Sequence, residues 1–505
     1  MFLVVATIVF IALIIYASVK PFIDNLFYAV PHEPPYAHSF MPAIGFALEL
    51  FKDPVELIRS LYLKYGKIFV IVLGSRRCVY LYDEQTYLMK VLKSPDLSID
   101  EFTADFMVNG FGVSRRWVNV EDIQQIQTKQ YHQYLSGGDQ LAILNKRAHD
   151  SLIESMKHAA KELQNNPSRV VNFFEFFGEF ILYAGCDGLF GSIFTNEQRH
   201  TTRNFYQLYE GFDEAVNLNI LRKPFRTILH KSTFEKRREY VKRFHSLKLN
   251  NDESDILRVR EELFRSDEYK HLFPDDDIAV LHAALLWVAV ANTIPTCCWS
   301  IVDLFLHPEA LNAVRLELKE NLSSSSTASL YEKETLSKLT VLESCISESM
   351  RRTSYTFSTR QAKTNTTIQC LDKTKIGLRK GDMLIYPAFL RHVDPDLFGP
   401  HPYRYQFDRF VKRSNQPKVP SVLLFGCGAH TCPGRYWAIN MIKMLVALIV
   451  QRMDIEFVNM TEQDKDEFQT RLPYDYSKLA VLAGPKKGYK HKFEVKYSYK
   501  NVNIN

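Results

Sequence analysis

The chain has 505 residues, of which 46% are hydrophobic and 24% are charged. This balance is typical of a globular protein, and the length permits one large domain or several. The net charge of +6 is small for such a length, so the composition gives no indication of nucleic-acid binding. The eight cysteines form no CxxC pair and no zinc-binding spacing, which favours reduced thiols in a cytosol-facing protein over a disulfide framework.

The N-terminal run, residues 1–18, is almost wholly apolar, and the first charged residue is Lys20. The run has no positively charged start and approaches the length that crosses a bilayer, so we expect a single-pass membrane anchor over residues 1–20. The small residues Ala17 and Ser18 leave a cleaved signal peptide as the alternative. Lysines after the run indicate that the body of the protein faces the cytosol, and we expect an endoplasmic reticulum location.

A proline-rich segment follows the expected anchor. The prolines between positions 31 and 42 break any helix there, which predicts a stiff hinge over residues 21–45. We expect the rest of the chain, residues 46–505, to form the folded domain.

The first predicted elements of this domain are β-strands. Ile68 to Leu73 and Cys78 to Tyr82 are β-rich runs on either side of Gly74-Ser75, a pattern that predicts a hairpin. From about Asp83 to Met453 the pattern is mainly helical, with connecting loops. We therefore predict one large, mainly α domain of the α+β class, with small β elements at both ends.

Within the helical region, residues 279–306 are apolar on all sides, which predicts a long helix in the core. Its polar residues, Asn292 and Asp303 among them, argue against a membrane span. Pro295 removes a backbone donor and frees a carbonyl, so we expect a kink there. Asn292 and Thr296 beside the kink could hold waters or a small ligand, although a satisfied polar defect is the simpler explanation from this segment alone.

Glu348 and Arg351 lie three positions apart on a predicted helix, so their charges share one face. Such pairs are common on helix surfaces, where they contribute little stability. Taken alone, the pair indicates no more than an ordinary helical ion pair.

The most distinctive stretch is FGCGAHTCPGR, residues 425–435, followed by an apolar helix. Gly428 and Gly434 permit backbone angles that direct amide N–H groups towards the Cys432 sulfur. These amides and the positive end of the following helix favour thiolate over thiol. His430 could hold an anionic group near whatever Cys432 binds. A glycine-rich turn around a buried structural cysteine is the alternative.

The spacing Phe-x-x-Gly-x-His-x-Cys-x-Gly-x-x-x-Ala, from Phe425 to Ala438, resembles the haem-binding loop of the cytochrome P-450 family. In that family the cysteine thiolate is the axial ligand of the haem iron. The resemblance implies the family's fold, mainly α with small β-sheets, and haem b (iron protoporphyrin IX) bound through Cys432, with Phe425 covering the sulfur. The haem propionates would be neutralised by three basic residues: His430, Arg360 and Arg435.

Two later segments, HVDP at 392–395 and YQFDRF at 405–410, are also similar to segments of the family. By that resemblance Glu348, Arg351 and Arg409 form a buried ionic triad that fixes the loop carrying Cys432. Arginine suits both basic positions because its guanidinium binds a carboxylate in bidentate geometry.

The family's oxygen-binding helix usually carries Ala-Gly-x-(Asp/Glu)-Thr-Thr, whose acid and alcohol deliver protons. Here Asn292 replaces the glycine, Ile294 the acid and Pro295 the first threonine, while Thr296 remains. The resemblance therefore implies that Asn292 and Thr296 serve catalytic proton supply through held water. Residues 287–296 are similar to the sterol 7α-hydroxylase branch, whose neighbours are sterol 12α-hydroxylase and prostacyclin synthase.

Substrate contacts follow from the resemblance alone, and each of them could be a core position instead. The expected pocket residues are Leu286, Trp287, Val290, Tyr355, Phe357 and Ser477. An apolar pocket with few polar groups suits a sterol or a fatty acid.

Together these similarities imply a membrane-tethered haem-thiolate monooxygenase that hydroxylates a sterol or oxysterol, with C7 (7α) as the favoured position. Oxygen and electrons from NADPH would be needed, and a separate flavoprotein reductase would supply the electrons because the chain has no nucleotide-binding motif. The alternatives are a prostaglandin endoperoxide isomerase like prostacyclin synthase, a sterol 12α-hydroxylase, and a haem or lipid carrier without turnover.

Overall fold

The computed structural model describes residues 29–39, 46–73, 76–118, 120–163, 166–191, 202–220, 226–245, 247, 249–322, 329–412, 419–420, 422–476, 478 and 481–500. The predicted anchor, most of the predicted hinge and Ser477 lie outside the described residues. Within the described residues, one stretch is long and apolar enough to cross a bilayer, Asp275–Leu306, and 83% of its most apolar part is buried in the protein. Such burial is that of a core helix, as the sequence predicted.

The described elements are mainly helical, with short strands. The α-helices in chain order are α1 Ala47–Lys52, α2 Pro54–Tyr65, α3 Glu84–Thr86, α4 Asp100–Asp105, α5 Glu121–Leu135, α6 Gly138–Lys161, α7 Phe173–Phe190, α8 Thr202–Ile220, α9 Arg226–Leu229, α10 Lys231–His245, α11 Asp255–Arg265, α12 Asp275–Val290, α13 Thr293–Leu306, α14 Pro308–Asn321, α15 Lys333–Lys338, α16 Thr340–Thr353, α17 Ala388–His392, α18 Pro395–Phe398, α19 Arg435–Arg452 and α20 Glu462–Thr470. The strands are β1 Ile68–Leu73, β2 Arg76–Leu81, β3 Leu97–Ser98, β4 Arg169–Asn172, β5 Ser358–Ala362, β6 Thr366–Gln369, β7 Lys375–Leu378, β8 Met383–Tyr386, β9 Met453–Phe457 and β10 Glu494–Tyr499.

The chain folds into two compact units, each made of separate segments. The smaller unit comprises the described residues of Met1–Thr103, Tyr355–Pro400 and Val422–Thr431. The larger unit comprises those of Ala104–Ser354, His401–Ser421 and Cys432–Asn505.

The smaller unit is built on a five-stranded sheet with the order β1-β2-β8-β5-β3. β1 and β2 pair antiparallel with Ile68 opposite Leu81, which confirms the predicted hairpin. β2 and β8 run parallel, and the remaining pairs are antiparallel. Buried aliphatic side chains such as Val70, Val79 and Leu384 form the core beneath the sheet.

Four strands between residues 358 and 386 were not predicted, because the whole stretch from Asp83 to Met453 was interpreted as mainly helical. The strands have four or five residues each, and β8 (MLIY) is buried at every position. A short, uniformly apolar run has no alternation, so periodicity alone does not separate it from a buried helix.

The larger unit is a helical assembly around α13, which packs against α7, α16 and α19. A three-stranded antiparallel sheet with the order β4-β10-β9 accompanies the helices. Both units therefore agree with the expectation of a mainly α fold with small sheets.

The predicted kink near Pro295 is a break between two helices. α12 ends at Val290 and α13 begins at Thr293, with Asn292 as the N-cap residue of α13. Pro295 is consequently the third residue of a helix, where a backbone N–H has no intrahelical acceptor. The proline therefore removes no hydrogen bond from α13, and the interruption lies at Ala291 and Asn292 rather than at the proline itself.

Candidate active site

The loop before Cys432 is shaped by glycines in left-handed conformations. Gly426 and Gly428 have φ angles of +76° and +67°. A Cβ atom on Gly428 would also lie 3.1 Å from the side chain of Leu92. Gly434 has a φ of −83°, which any residue can adopt, so the left-handed conformations lie at Gly426 and Gly428, while the Gly434 amide points to the Cys432 sulfur as expected.

The Cys432 sulfur lies at the N-terminus of α19 in the larger unit, next to backbone amides. Burial raises the pKa of the Cys432 thiol above its usual value, while hydrogen bonds from the Gly434 and Arg435 amides and the Arg435 charge act in the opposite direction. Arg435 also donates from Nη1 to the Cys432 carbonyl oxygen at 3.0 Å. The site therefore offers donors to a thiolate, and a metal cation at the sulfur would supply the remaining stabilisation.

The donor chemistry also indicates what kind of metal group fits there. Among the described residues, no cluster of three or more His, Cys, Asp or Glu side chains could hold a metal ion. A single sulfur ligand suits a metal that brings its other ligands with it, as iron does in a porphyrin.

In the smaller unit, Arg360 and His430 are two basic residues that interact electrostatically. Arg360 is 6% exposed, and its Nη1 donates to the Thr359 carbonyl oxygen at 2.7 Å. Within the described part of the chain, no carboxylate forms an ion pair with Arg360. Desolvation and the Arg360 charge lower the pKa of His430, because each disfavours its protonated form. A buried guanidinium with no acidic partner fits an anionic group such as a carboxylate of a cofactor.

The predicted triad is present in the larger unit. Glu348 and Arg351 are both fully buried, and Arg351 contacts the carboxylate through Nε and Nη2, each at 2.8 Å. Arg409 donates from Nε to Glu348 Oε2 at 3.0 Å, and the backbone N–H of Gln406 donates to Oε1 at 3.1 Å. The Glu348 carboxylate thus joins α16 to the segment containing Arg409, and it is the one charge that both arginines of the triad share.

A second buried ion pair beside the triad was missed from the sequence. Arg352, the residue after Arg351, pairs with Asp303 of α13, and Asp303 also accepts from Ser349 Oγ at 2.8 Å. Arg352 also donates to the carbonyl oxygens of Tyr403 and Phe468, each at 2.7 Å. The signal was Asp303, an acidic residue inside an apolar helix, because a buried carboxylate requires a partner.

The break between α12 and α13 leaves one face of these helices accessible. Val288 is 60% exposed, and Asn292, one turn later, is also exposed, although their neighbours are almost all buried. The predicted pocket residues Leu286, Trp287 and Val290 are at most 3% exposed. Spacing of four from Asn292 would have identified Val288 as the residue that shares its face.

The contacts of the three buried residues explain their positions. A Cβ atom on Gly185 of α7 would lie 2.5 Å from Val290 and 3.4 Å from Leu286, so these two side chains fill the space above a glycine. The Trp287 indole N–H donates to Asp213 Oδ1 at 2.9 Å. In the described structure these side chains pack in the larger unit, and their role as substrate contacts stays a prediction.

At the break, the polar groups of Asn292 and Thr296 form hydrogen bonds. Thr296 Oγ1 donates to the Asn292 carbonyl oxygen at 2.7 Å, and Asn292 Oδ1 accepts from the backbone N–H of Leu482 at 2.9 Å. The Asn292 Nδ2 group has no acceptor among the described residues. Since Pro295 has no N–H to offer the Ala291 carbonyl, the break presents a donor and an acceptor that a water molecule can use.

Two further predicted pocket residues, Tyr355 and Phe357, lie in the smaller unit. The Tyr355 ring lies 4.4 Å from the Phe389 ring between centroids, and the Thr356 carbonyl oxygen accepts from the Phe389 N–H at 3.1 Å. Phe357 is 38% exposed, which leaves its ring free to contact a ligand. Phe425, predicted to cover the sulfur, is partly buried.

Comparison with known proteins agrees with this arrangement. The family model "Cytochrome P450" matches residues 33–477, which is most of the chain. The chain is 27% identical to "Cytochrome P450 7A1" of Rattus norvegicus, over 93% of this chain and 94% of the relative. It is 26% identical to "25-hydroxycholesterol 7-alpha-hydroxylase" of Rattus norvegicus, over 74% and 92% of the two chains.

The name of a third relative gives a different position of hydroxylation. The chain is 25% identical to "5-beta-cholestane-3-alpha,7-alpha-diol 12-alpha-hydroxylase" of Sus scrofa, over 85% of this chain and 87% of the relative. The family model and the single-thiolate site lead to the same conclusion. The chain belongs to the cytochrome P450 family, as a haem-thiolate monooxygenase whose cofactor is haem b.

Proposed function

We propose that this protein hydroxylates a sterol or oxysterol at the 7α position. The observation that carries the proposal is the break at Asn292, where the family's usual acid is absent and an exposed amide stands beside a freed carbonyl. The similarity to a 25-hydroxycholesterol 7-alpha-hydroxylase supports the substrate class and the position.

Cys432 is the residue that would hold the haem iron, through its sulfur. When bound, the haem activates oxygen, and a thiolate ligand favours cleavage of the O–O bond. The protein holds the sulfur with the Gly434 and Arg435 amides, which favour its ionised form. Arg360, His430 and Arg435 would neutralise the two propionates, and the Glu348 triad would keep the loop in place.

Proton supply is assigned to the break between α12 and α13. The Thr296 hydroxyl donates its proton to the Asn292 carbonyl, so it is left as an acceptor, while Asn292 Nδ2 remains a donor. Together with the Ala291 carbonyl, these groups would hold a water molecule in place of the missing acid. Asn292 and Thr296 are therefore the proposed catalytic pair.

The finer assignments of location and partner belong to the same proposal. The apolar residues 1–20 would anchor the protein in the endoplasmic reticulum membrane, with residues 46–505 as a catalytic domain facing the cytosol. A membrane location places the enzyme where an apolar sterol is concentrated. An NADPH-dependent flavoprotein reductase would deliver the electrons.

Incubation of the full-length holoprotein with reductase, NADPH and a sterol panel tests the proposal. The panel contains cholesterol, 25-hydroxycholesterol and a 7α-hydroxylated sterol, and mass spectrometry locates the new oxygen. NADPH-dependent 7α-hydroxylation is the expected result, whereas exclusive oxidation of the 7α-hydroxylated sterol at C12 would replace it with the 12α assignment.

A second candidate is isomerisation of a prostaglandin endoperoxide, which requires no external protons. The missing acid at Ile294 is compatible with it. Rearrangement of an endoperoxide without NADPH, together with inertness towards every sterol, would overturn the hydroxylase assignment.

A further inference from the structure

Asp213 of α8 joins three segments of the larger unit through one buried carboxylate. Its Oδ1 accepts the Trp287 indole N–H at 2.9 Å, and its Oδ2 accepts from Lys478 Nζ at 2.5 Å. Asp213 is only 5% exposed. The carboxylate is therefore hydrogen-bonded through both oxygens, to a helix on one side and to the C-terminal segment on the other.

Lys478 differs from its partner because it stays accessible. Its side chain is 36% exposed, against 8% for that of Asp213. Burial lowers the pKa of Lys478, but the charge and hydrogen bond of Asp213, together with the charges of Glu210 and Asp475, raise it by more, so the ammonium stays protonated at neutral pH. An ammonium has three donors, and the described residues accept one of them. The other two donors have no acceptor among the described residues.

The C-terminal segment is attached to the two central helices at two levels. Lys478 is held at the level of Trp287 through Asp213, and Leu482 is held at Asn292 through its backbone N–H. Trp287 and Asn292 are five residues apart, which corresponds to roughly 7.5 Å along a helix axis. Between these two levels lies Val288, which is 60% exposed.

The surroundings of Trp287 are otherwise apolar. Its ring contacts Phe111 edge to face at 5.2 Å between centroids and Phe106 at 6.2 Å. In a mainly aromatic environment, one fixed polar group decides the orientation of an apolar ligand. A charged donor with free hydrogen-bonding capacity can bind a hydroxyl or keto oxygen more strongly than a neutral group can.

We propose that Lys478, positioned by Asp213, is a specificity-determining residue that binds an oxygen atom of the substrate, a hydroxyl or a keto group on an otherwise apolar ring system. The inference rests on the proposed function, since it assigns a role in recognising that substrate. A purely structural role for the pair is the competing explanation. That role would tether the C-terminal segment without discriminating between ligands.

Three sterols that differ by one oxygen separate the two explanations. Cholest-5-ene lacks both hydroxyls, cholesterol has the 3-hydroxyl, and 25-hydroxycholesterol has a second hydroxyl on the side chain. Their dissociation constants are measured with the full-length holoprotein by equilibrium binding of labelled sterol. The variants are Lys478→Met, Lys478→Arg and Asp213→Asn.

In Lys478→Met we expect about tenfold weaker binding of the oxygenated sterol, with the affinity for cholest-5-ene unchanged, because one charge-assisted hydrogen bond is lost. A weaker affinity for cholesterol would show that Lys478 binds the 3-hydroxyl. A weaker affinity for 25-hydroxycholesterol alone would show that it binds the side-chain hydroxyl. Lys478→Arg should retain most of the preference, and Asp213→Asn should reduce it because the ammonium is no longer held.

If Lys478→Met loses affinity equally for all three compounds, the inference is overturned and the pair only tethers the C-terminal segment. If it loses affinity for none of them, Lys478 has no role in binding. Failure of the proposed function has a different signature. In that case the unaltered protein would bind none of the three sterols, irrespective of the residue at position 478.

Discussion

The side-chain oxygen of Asn292 accepts a hydrogen bond from the backbone N–H of Leu482 at 2.9 Å. Trp299, two turns later, donates its indole N–H to the carbonyl oxygen of Ala483 at 2.9 Å. Two side chains on either side of the start of α13 therefore hold consecutive residues of the C-terminal segment. Asn292 accordingly has both a structural acceptor and an unused donor.

These two capacities can be separated by substitution. Asn292→Ala removes the acceptor, and loss of one hydrogen bond worth about 1 kcal/mol should speed hydrogen exchange of the Leu482 amide roughly fivefold. Asn292→Asp keeps an acceptor at the same place and should preserve protection. Exchange measured by mass spectrometry on peptides containing Leu482 gives the result. Equal exchange in both variants would show that the bond to Asn292 does not protect this amide.

The Glu348 carboxylate should be critical to stability because it neutralises two arginines. Glu348→Gln removes the charged carboxylate that Arg351 and Arg409 share, and breaking a buried pair costs about 3–5 kcal/mol. The same variant should yield protein with little haem, since the triad supports the loop of Cys432. Denaturant unfolding and the reduced carbon monoxide difference spectrum measure the two effects.

A surface pair provides the matched control. Glu462 pairs with Lys465 at 2.5 Å but is 87% exposed, so Glu462→Gln should cost less than about 0.5 kcal/mol. Similar losses in Glu348→Gln and Glu462→Gln would contradict the role assigned to the buried carboxylate.

The sequence predicted the parts of the molecule that have strong local signals. The hairpin around Gly74-Ser75 follows from two β-rich runs, and the Glu348 triad followed from family resemblance rather than from charge spacing. Strand β8 was missed because a short, uniformly apolar run lacks a period, whereas β5 and β6 (STRQA and TTIQ) are too short and polar to show one. Val288 was missed because the spacing from Asn292 shows only which residues share a face, whereas the exposure of that face depends on what packs against it, and one segment alone does not contain that information.

The two cysteines of the glycine-rich loop should behave differently. Cys432→Ala should abolish the thiolate-type carbon monoxide band, because it removes the proposed sulfur ligand of the haem iron. This sulfur accepts hydrogen bonds from the Gly434 and Arg435 amides. Cys427→Ala should keep the band. The Cys427 sulfur is buried, burial raises the pKa of its thiol, and it lies 3.9 Å from the Ser358 hydroxyl. Retention of the band in Cys432→Ala would exclude Cys432 as the ligand.

Arg360 should govern how firmly the haem is retained. Replacing it with methionine removes a buried cation that has no carboxylate partner among the described residues. We therefore expect the substitution to weaken the binding of the anionic haem propionates. One charge-assisted hydrogen bond corresponds to roughly tenfold to hundredfold faster haem release. Transfer of haem to an excess of apomyoglobin measures the rate. The exposed Arg59→Met is the control, and equal release rates in the two variants would remove Arg360 from the propionate site.

The pair of His282 and Glu261 predicts how stability depends on pH. His282 Nε2 lies 2.9 Å from Glu261 Oε2, and its Nδ1 is buried with no hydrogen-bond partner among the described residues. Burial lowers the pKa of His282 below its usual value, although Glu261 acts in the opposite direction. Burial raises the pKa of Glu261, but hydrogen bonds from His282 and Arg265 lower it by more, to about 2.

A histidine with a lowered pKa in the folded state binds protons more readily when the chain is unfolded. Acidification from pH 7.5 to 5 should therefore reduce the free energy of unfolding, by at most about 1.4 kcal/mol per pH unit for one proton. The lowered pKa of Glu261 acts only in more acidic solution, between its ordinary value and about 2. His282→Gln, which keeps a donor towards Glu261 but does not titrate, should flatten the slope between pH 5 and 7.5. Urea unfolding across this range, with the exposed His401→Gln as control, gives the comparison, and an unchanged slope in His282→Gln would assign the pH dependence to other groups.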